Sequence, residues 1–547
     1  MKTFTAAAAA VACAACFGTA YADKPAARGM ACGDLVTLNL PDTKIDSAAI
    51  VPAGPLSAIS GSTAVAPTCS SDVAAPQVPA LCRVQGTIGP GQIKFEVWLP
   101  LQAWNGKYQG LGNHGFAGNI EYTDMAPELV KGYAVSGTDT GHQGTGTAWM
   151  LNQQQIVDYG SRGIHEMAVK SKAIVEAFYG KAPKYSYFNG CSTGGKEGLM
   201  AAQRYPDDFD GINVAGSANF DQIGNRIQYV WDGVVSGQLP QTQLAGADLT
   251  LINKAVLAAC DDLDGVADGV LDNPLACHFD PETFVFPFSG VYGSIAPGQP
   301  LQCTGAKTAT CLTPAQVTAL KEVYQGPRNP RTGEEIYPGL PRGSELGWNG
   351  HTTSTAIFST AQQFFQFMVY PNTSGNPALD WNYRTFNFDS DTIYAKEHFS
   401  ALLDATNPDL SAFRKRGGKL LFTHAWSSTV HTATRSIEYY DQVASLLHGG
   451  DNDRGYLYGK TREFFRLFLA PSAAGSKGPS TLDSMPALER WVEQGIAPES
   501  LIAVHKAGGV VDRSRPLCPY PERAVYLGSG SIDDAANFVC RGEDAGQ

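Results

Sequence analysis

The run Tyr185-Ser-Tyr-Phe-Asn-Gly-Cys-Ser-Thr-Gly-Gly-Lys-Glu-Gly constrains this chain more than any other stretch. It reads as a strand that enters a turn at Gly190-Cys-Ser-Thr-Gly and leaves as a helix from near Lys196. Ser192 then sits on a sharp strand-to-helix turn, where glycines on either side tolerate close backbone packing. The turn exposes the hydroxyl. The helix N-terminus and the Thr193 amide favour negative charge beside it. That is the presentation a serine nucleophile requires.

Residues 91–215 alternate short apolar runs with helical patterns, as an α/β sheet does. Ile93-Lys-Phe-Glu-Val-Trp-Leu alternates with period two, Gly106-Lys-Tyr-Gln-Gly-Leu feeds a glycine-rich loop, and Tyr133-Ala-Val-Ser-Gly-Thr-Asp is a further strand. Residues 164–178 carry apolar positions at helical spacing. Residues 219–400 lose the alternation and hold an aromatic cluster (Phe364, Phe365, Phe367, Tyr370, Trp381, Tyr383, Phe386, Phe388 and Tyr394), which predicts an inserted lid. Such clusters are usually core, although some rings can line a pocket for a flat ligand. Sheet pattern resumes at Gly417-Gly-Lys-Leu-Leu-Phe-Thr-His, with a helix over 433–448, a strand over 464–470 and a helix over 484–494. The division expected is therefore a first sheet segment over 23–218, a lid over 219–400 and a second sheet segment over 401–547.

Residues 1–22 read as an export signal: Lys2, an alanine-rich apolar run and a small-residue cleavage site at Ala20-Tyr21-Ala22. The run is too short for a membrane span. The expected location is thus secreted or periplasmic. A formal charge of −12 and the lack of a basic run argue against nucleic acid as a partner. Beyond the signal, cysteines stand at 32, 69, 82, 191, 260, 277, 303, 311, 518 and 540. An exported chain bridges such cysteines. Spacing suggests Cys260 with Cys277, Cys303 with Cys311, Cys518 with Cys540 and Cys32 with Cys82. Cys69 and Cys191 are left without evident partners, so two thiols are expected.

Residues 261–272 pack five aspartates (261, 262, 264, 268 and 272) into twelve positions with Gly265 and Gly269 between them. Carboxylates this close must splay into solvent or bind a cation, and the oxygen-rich loop suits Ca²⁺. EF-hand spacing is absent.

In order and spacing, several segments together resemble the tannase and feruloyl esterase family: Leu81-Cys-Arg-Val-Gln-Gly, Gly112-Asn-His-Gly-Phe-Ala-Gly, Thr138-Asp-Thr-Gly-His, Gly190-Cys-Ser-Thr-Gly-Gly and Arg515-Pro-Leu-Cys-Pro-Tyr-Pro. The resemblance implies a secreted α/β-hydrolase fold with a large inserted lid and a pocket for small aromatic esters or acids. It implies a structural lid Ca²⁺ held by Asp261, Asp264 and Asp268 side chains and by Val266 and Val270 carbonyls. It also implies a Ser-Asp-His triad with Ser192 as nucleophile. Thr193 and the loop around Asn113, His114 and Gly115 would supply the oxyanion amides, and a disulfide would join the cysteine before Ser to one after His.

The chain departs from that pattern twice. After the strand ending Thr423-His-Ala-Trp, Ser428 stands where the family places its Asp. After Phe465-Arg-Leu-Phe-Leu the family's His-Cys is replaced by Ala470-Pro-Ser-Ala-Ala-Gly-Ser-Lys-Gly-Pro, and neither His nor Cys occurs from 449 to 504. A serine cannot steady an imidazolium as a carboxylate does. Loss of the Asp alone costs about 10⁴ in kcat, and loss of the triad about 10⁶. Efficient turnover is not expected. The alternative is an active esterase with a relocated base, His114 or His431. His424 and His505 read as structural, and none of His114, His424 and His431 has a carboxylate partner evident from the sequence.

Overall fold

The computed structural model describes residues 29–542 apart from 61–74, 145, 238–240, 288–294, 353–354, 372–374, 448–453 and 472–477. Residues 1–22, expected to be an export signal, and Cys69 lie outside the described residues.

Nine strands form one sheet. In chain order they are β1 (Thr43–Val51), β2 (Leu81–Ile88), β3 (Ile93–Pro100), β4 (Lys107–Leu111), β5 (Ala134–Thr138), β6 (Tyr185–Ser192), β7 (Gly211–Ala218), β8 (Lys419–Ala425) and β9 (Phe465–Ala470). Across the sheet the order is β1-β2-β3-β5-β4-β6-β7-β8-β9. The first three pair antiparallel with their neighbours as far as β5. From β5 to β9 all pairings are parallel. β6 lies inside the parallel part, so both of its faces need apolar cover. Successive side chains accordingly enter opposite cores. Phe188 and Phe422 pack with Met167 and Ile174 on one face. Tyr187 and Leu421 pack with Leu488 and Trp491 on the other. The helices that supply this cover include α1 (Tyr122–Val130), α2 (Gly163–Tyr179), α3 (Thr193–Arg204) and a helix over Met485–Gln494.

α3 begins at Thr193, three residues before the sequence suggests. Tertiary partners take up its first turn: Gly194 N–H donates to Asn113 O at 2.8 Å, and the Thr193 hydroxyl donates to Gly115 O. Those bonds offset the poor helix propensity of Gly194 and Gly195.

Between β7 and β8 the described chain adds no strand to the sheet. Its helices build two cores of their own, one around Ile223, Ile227, Phe364 and Phe365 and another around Leu249, Ile252, Leu320 and Trp348. Most of the predicted aromatic cluster joins the first; Tyr394 is 41% exposed.

The four expected bridges, Cys32–Cys82, Cys260–Cys277, Cys303–Cys311 and Cys518–Cys540, are all formed. The expectation of an unbridged Cys191 is overturned: Cys191 is disulfide-bonded. Its partner is none of the eight cysteines above, which pair among themselves. Sequence spacing misled because Cys191 has no cysteine near it along the chain, and only a long-range contact can bridge it.

Candidate active site

Ser192 ends β6 with φ 54° and ψ −119°, a conformation that L-residues avoid and that a nucleophile turn requires. The backbone around it leaves no room for side chains. A Cβ on Gly190 would lie 2.7 Å from Gly194 C, and one on Gly112 would lie 2.5 Å from Gly194 Cα. The loop after β4 therefore rests directly on the start of α3. Three hydrogen bonds clamp it there: the two at the start of α3 and Asn113 N–H to Glu197 Oε2 at 2.9 Å. Asn113 Nδ2 also donates to Asn119 O and Thr138 O, both at 2.8 Å. Thr193, as the first residue of α3, has an amide with no acceptor inside the helix. Burial pushes the Glu197 carboxyl up to about 7. The neighbouring Lys196 is also buried, donates to Tyr159 O at 3.0 Å and lies 3.9 Å above the Tyr159 ring. The turn at Ser192 and the loop after β4, where the family resemblance leads one to expect the nucleophile and the oxyanion amides, are thus packed together and hydrogen-bonded.

Histidines are placed unequally around this turn. His114, in the oxyanion loop, puts Nε2 2.9 Å from Asp124 Oδ2 on α1 and Nδ1 4.0 Å from Cys191 Sγ. This corrects the expectation that no carboxylate orients it. The partner lies ten residues along, in the helix that follows the loop, a contact that only the folded turn creates. Burial opposes a charge on His114, but Asp124, Glu121 and Glu197 outweigh it and hold its pKa above the ordinary value. His424 is locked elsewhere. Its Nε2 lies 2.9 Å from the His431 carbonyl, which can only accept, so Nδ1 accepts from the Ser436 hydroxyl at 2.7 Å. Burial depresses it to about 4. His431 is buried and held well below its ordinary pKa, first by burial and then by Arg226, His424 and His351. No carboxylate pairs with it among the described residues. His505 lies in a separate hairpin (Leu501–Ala507 with Val510–Leu517) and pairs with Asp512 at 2.6 Å.

Ser428 is buried in the turn after β8, where its N–H donates to Ala425 O at 3.0 Å. The sequence gives this turn no carboxylate. The segment 472–477 after β9 lies outside the described residues.

Sequence reasoning also passed over His142, the last residue of Thr138-Asp-Thr-Gly-His. It is buried, stacks on Trp149 at 4.3 Å, and burial depresses it to about 4. Its place in a quoted motif was the available signal.

In the aspartate loop, Asp261 accepts from Gly269 N–H at 2.9 Å and Val270 N–H at 3.1 Å, and Asp264 accepts from Val266 N–H at 2.9 Å. Asp268 is paired with Arg513 and with the buried Arg515. Asp264 and Asp272 hydrogen-bond each other, and burial raises both carboxyls. Among the described residues no group of three or more His, Cys, Asp or Glu side chains is gathered as a metal site. The donors are oxygen only, which fits a hard cation, while Asp268 is committed to arginines.

Residues 80–541 match the family model for tannase and feruloyl esterase. An uncharacterized esterase of Xanthomonas campestris pv. campestris is 36% identical over 94% of this chain and 92% of its own. The mono(2-hydroxyethyl) terephthalate hydrolase of Piscinibacter sakaiensis is 34% identical over 85% of each. Among solved structures, feruloyl esterase B from Aspergillus oryzae superposes with a TM-score of 0.77 at 26% identity, covering 92% of this chain and 98% of that one.

Proposed function

Because the chain belongs to the tannase and feruloyl esterase family, we propose that it is an α/β-hydrolase scaffold of that family with severely impaired serine-esterase turnover, one that still binds small aromatic esters or acids. The observation that carries this reading is Ser428 in place of the triad Asp, together with the lack of any His from 449 to 504. Ser192, Thr193 and the loop at His114 stand at the expected nucleophile and oxyanion positions, and among the described residues no imidazole–carboxylate pair stands at the β8 and β9 ends. Oxyanion contacts and binding alone still leave about 10³–10⁴-fold over water. Export through residues 1–22 belongs to this proposal, and no helix among the described residues is long and apolar enough to cross a membrane.

A second reading has a specific observation in its favour. The His114–Asp124 pair is an oriented imidazole beside the residue preceding Ser192, which is what a relocated base needs. His431 lacks such a carboxylate and is the weaker candidate.

A structural Ca²⁺ in the 261–272 loop is also proposed, with Asp261, Asp264 and Asp268 side chains and Val266 and Val270 carbonyls as its ligands. Its support is the contact between two carboxyls at Asp264 and Asp272, which a cation would relieve.

Hydrolysis of methyl gallate, methyl ferulate and p-nitrophenyl acetate by the purified protein, beside Ser192→Ala, tests the main reading. Equal, near-background rates are expected. A rate abolished by both Ser192→Ala and His114→Gln would replace it with the second reading.

A further inference from the structure

The helix Gln222–Asp232 carries an unusual arginine. The buried arginines Arg466 and Arg515 and the half-buried Arg435 each pair with a carboxylate: Glu499, Asp268 and Asp221 respectively. Arg226 is just as buried, at 5% exposure, yet among the described residues it has no carboxylate partner. Its guanidinium donates to the adjacent Asn225 Oδ1 at 3.3 Å and interacts with the Tyr229 hydroxyl, and its Nε has no acceptor. The guanidinium instead lies over two aromatic rings, Phe116 at 5.2 Å and Tyr229 at 5.3 Å.

Two imidazoles near this arginine also carry an unpartnered nitrogen. His351 is fully buried, with Nδ1 3.1 Å from Asp232 Oδ2, and its Nε2 has no partner. Its ring meets the Tyr229 ring edge-on at 5.3 Å. His431 is buried with Nδ1 unpartnered. The helix holds the His431 loop in place, since Asn225 Nδ2 and Tyr229 OH both donate to Val430 O, at 2.6 and 2.8 Å. Buried polar atoms are almost always satisfied, and three orphan nitrogens along the helix Gln222–Asp232 point to a missing ligand.

The chemistry of the three narrows what that ligand is. Arg226 brings a fixed positive charge that no protein carboxylate offsets. Each imidazole nitrogen can present an N–H or a lone pair, according to tautomer and protonation. Phe116 and Tyr229 add flat apolar walls. The group also borders the nucleophile turn: Phe116 follows Gly115, whose carbonyl accepts the Thr193 hydroxyl. We propose that Arg226, assisted by His351 and His431, forms a subsite for the carboxylate of an aromatic acid or half-ester. The assignment of the ring to an aromatic class rests on the proposed function above; the assignment of the carboxylate does not.

Equilibrium titration of the full mature protein with ferulate and methyl ferulate, and with benzoate and acetate, tests this without requiring turnover. The acid should bind at least tenfold more tightly than its methyl ester. Arg226→Gln should bring the acid down to the affinity of the ester, and Arg226→Lys should retain part of the preference. Ferulate, but not methyl ferulate, should also protect Arg226 of the unmodified protein from phenylglyoxal, a readout that stands even if Arg226→Gln does not fold. Equal affinities for acid and ester, a preference that survives in folded Arg226→Gln, or no protection would each overturn the subsite. Acetate binding as tightly as benzoate would leave the subsite standing and remove the aromatic reading. Methyl ferulate binding as tightly as ferulate would do the reverse.

Discussion

His114 Nε2 and Asp124 Oδ2 stand 2.9 Å apart, joining the loop after β4 to the helix that follows it. Among the described residues this pair is the imidazole–carboxylate link that stands beside the Ser192 turn. It gives the site a charge that depends on pH.

Burial works against the His114 imidazolium, but Asp124, Glu121 and Glu197 hold the folded pKa above the ordinary value near 6.5. A raised pKa contributes stability that is fully present below the unfolded value and is lost as pH rises through the folded one. Asp124→Asn should therefore destabilise the protein by about 1–3 kcal/mol near pH 6, the range for losing a charge-assisted partner. The deficit should shrink above the His114 titration, which NMR of the imidazole protons locates. Thermal melts of both proteins from pH 5 to 9 check this, and a constant difference across that range would sink it.

Ser192 holds its place in the turn with a φ of 54°. Glycine adopts that conformation freely, whereas a residue with a Cβ stores roughly 1–3 kcal/mol there. Ser192→Gly should raise stability by about 1 kcal/mol, since part of the gain is offset by glycine's greater freedom in the unfolded chain. Ser192→Ala keeps the Cβ and should melt close to the parent. Urea unfolding of the three proteins decides the matter: a Gly variant no more stable than the Ala variant would mean the turn is not strained.

What the sequence disclosed and what it hid divide along chain distance. The strand over 185–192, the helix over 163–179 and the resumption of the sheet at 419 follow from local periodicity and from glycine placement. The four bridges follow from cysteine spacing once export is expected. Three contacts were illegible. Asp124 reaches His114 only because the loop after β4 folds back on the start of α1. Arg226 meets Phe116 across a gap of 110 positions, and His351 meets Asp232 across 119. Charge pairs of that kind leave no periodic trace, because one buried arginine or histidine reads like any other until its neighbours are placed. The early start of α3 at Thr193 has the same origin, in acceptors supplied by a different loop.

Cys191 is bridged, and the eight other bridged cysteines pair among themselves. Past the signal segment, Cys69 is the one cysteine that these bridges leave over. Peptide mapping of the non-reduced mature protein should join the peptide of Cys191 to that of Cys69, and thiol titration after unfolding should detect no thiol. A bridge of this span typically contributes about 2–4 kcal/mol, so Cys191→Ala should lower the melting temperature by several degrees. Recovery of an alkylated Cys191 peptide from unreduced protein would show that the bridge does not form in solution.

The 261–272 loop allows a test that does not depend on activity. Asp261 and Asp264 are held by loop amides, Asp268 by Arg513 and Arg515, and Asp264 touches Asp272. A cation that takes these oxygens binds the folded loop and not the unfolded chain, so it must stabilise the fold. At a free concentration one hundred times its Kd, the gain is about 2.7 kcal/mol. Calcium added to chelator-treated protein should raise the melting temperature saturably, with one ion per chain by metal analysis. Asp264→Asn should remove most of the shift while leaving the metal-free melt close to the parent. If calcium moves neither protein, the arginines alone balance the loop and the site is not a metal site.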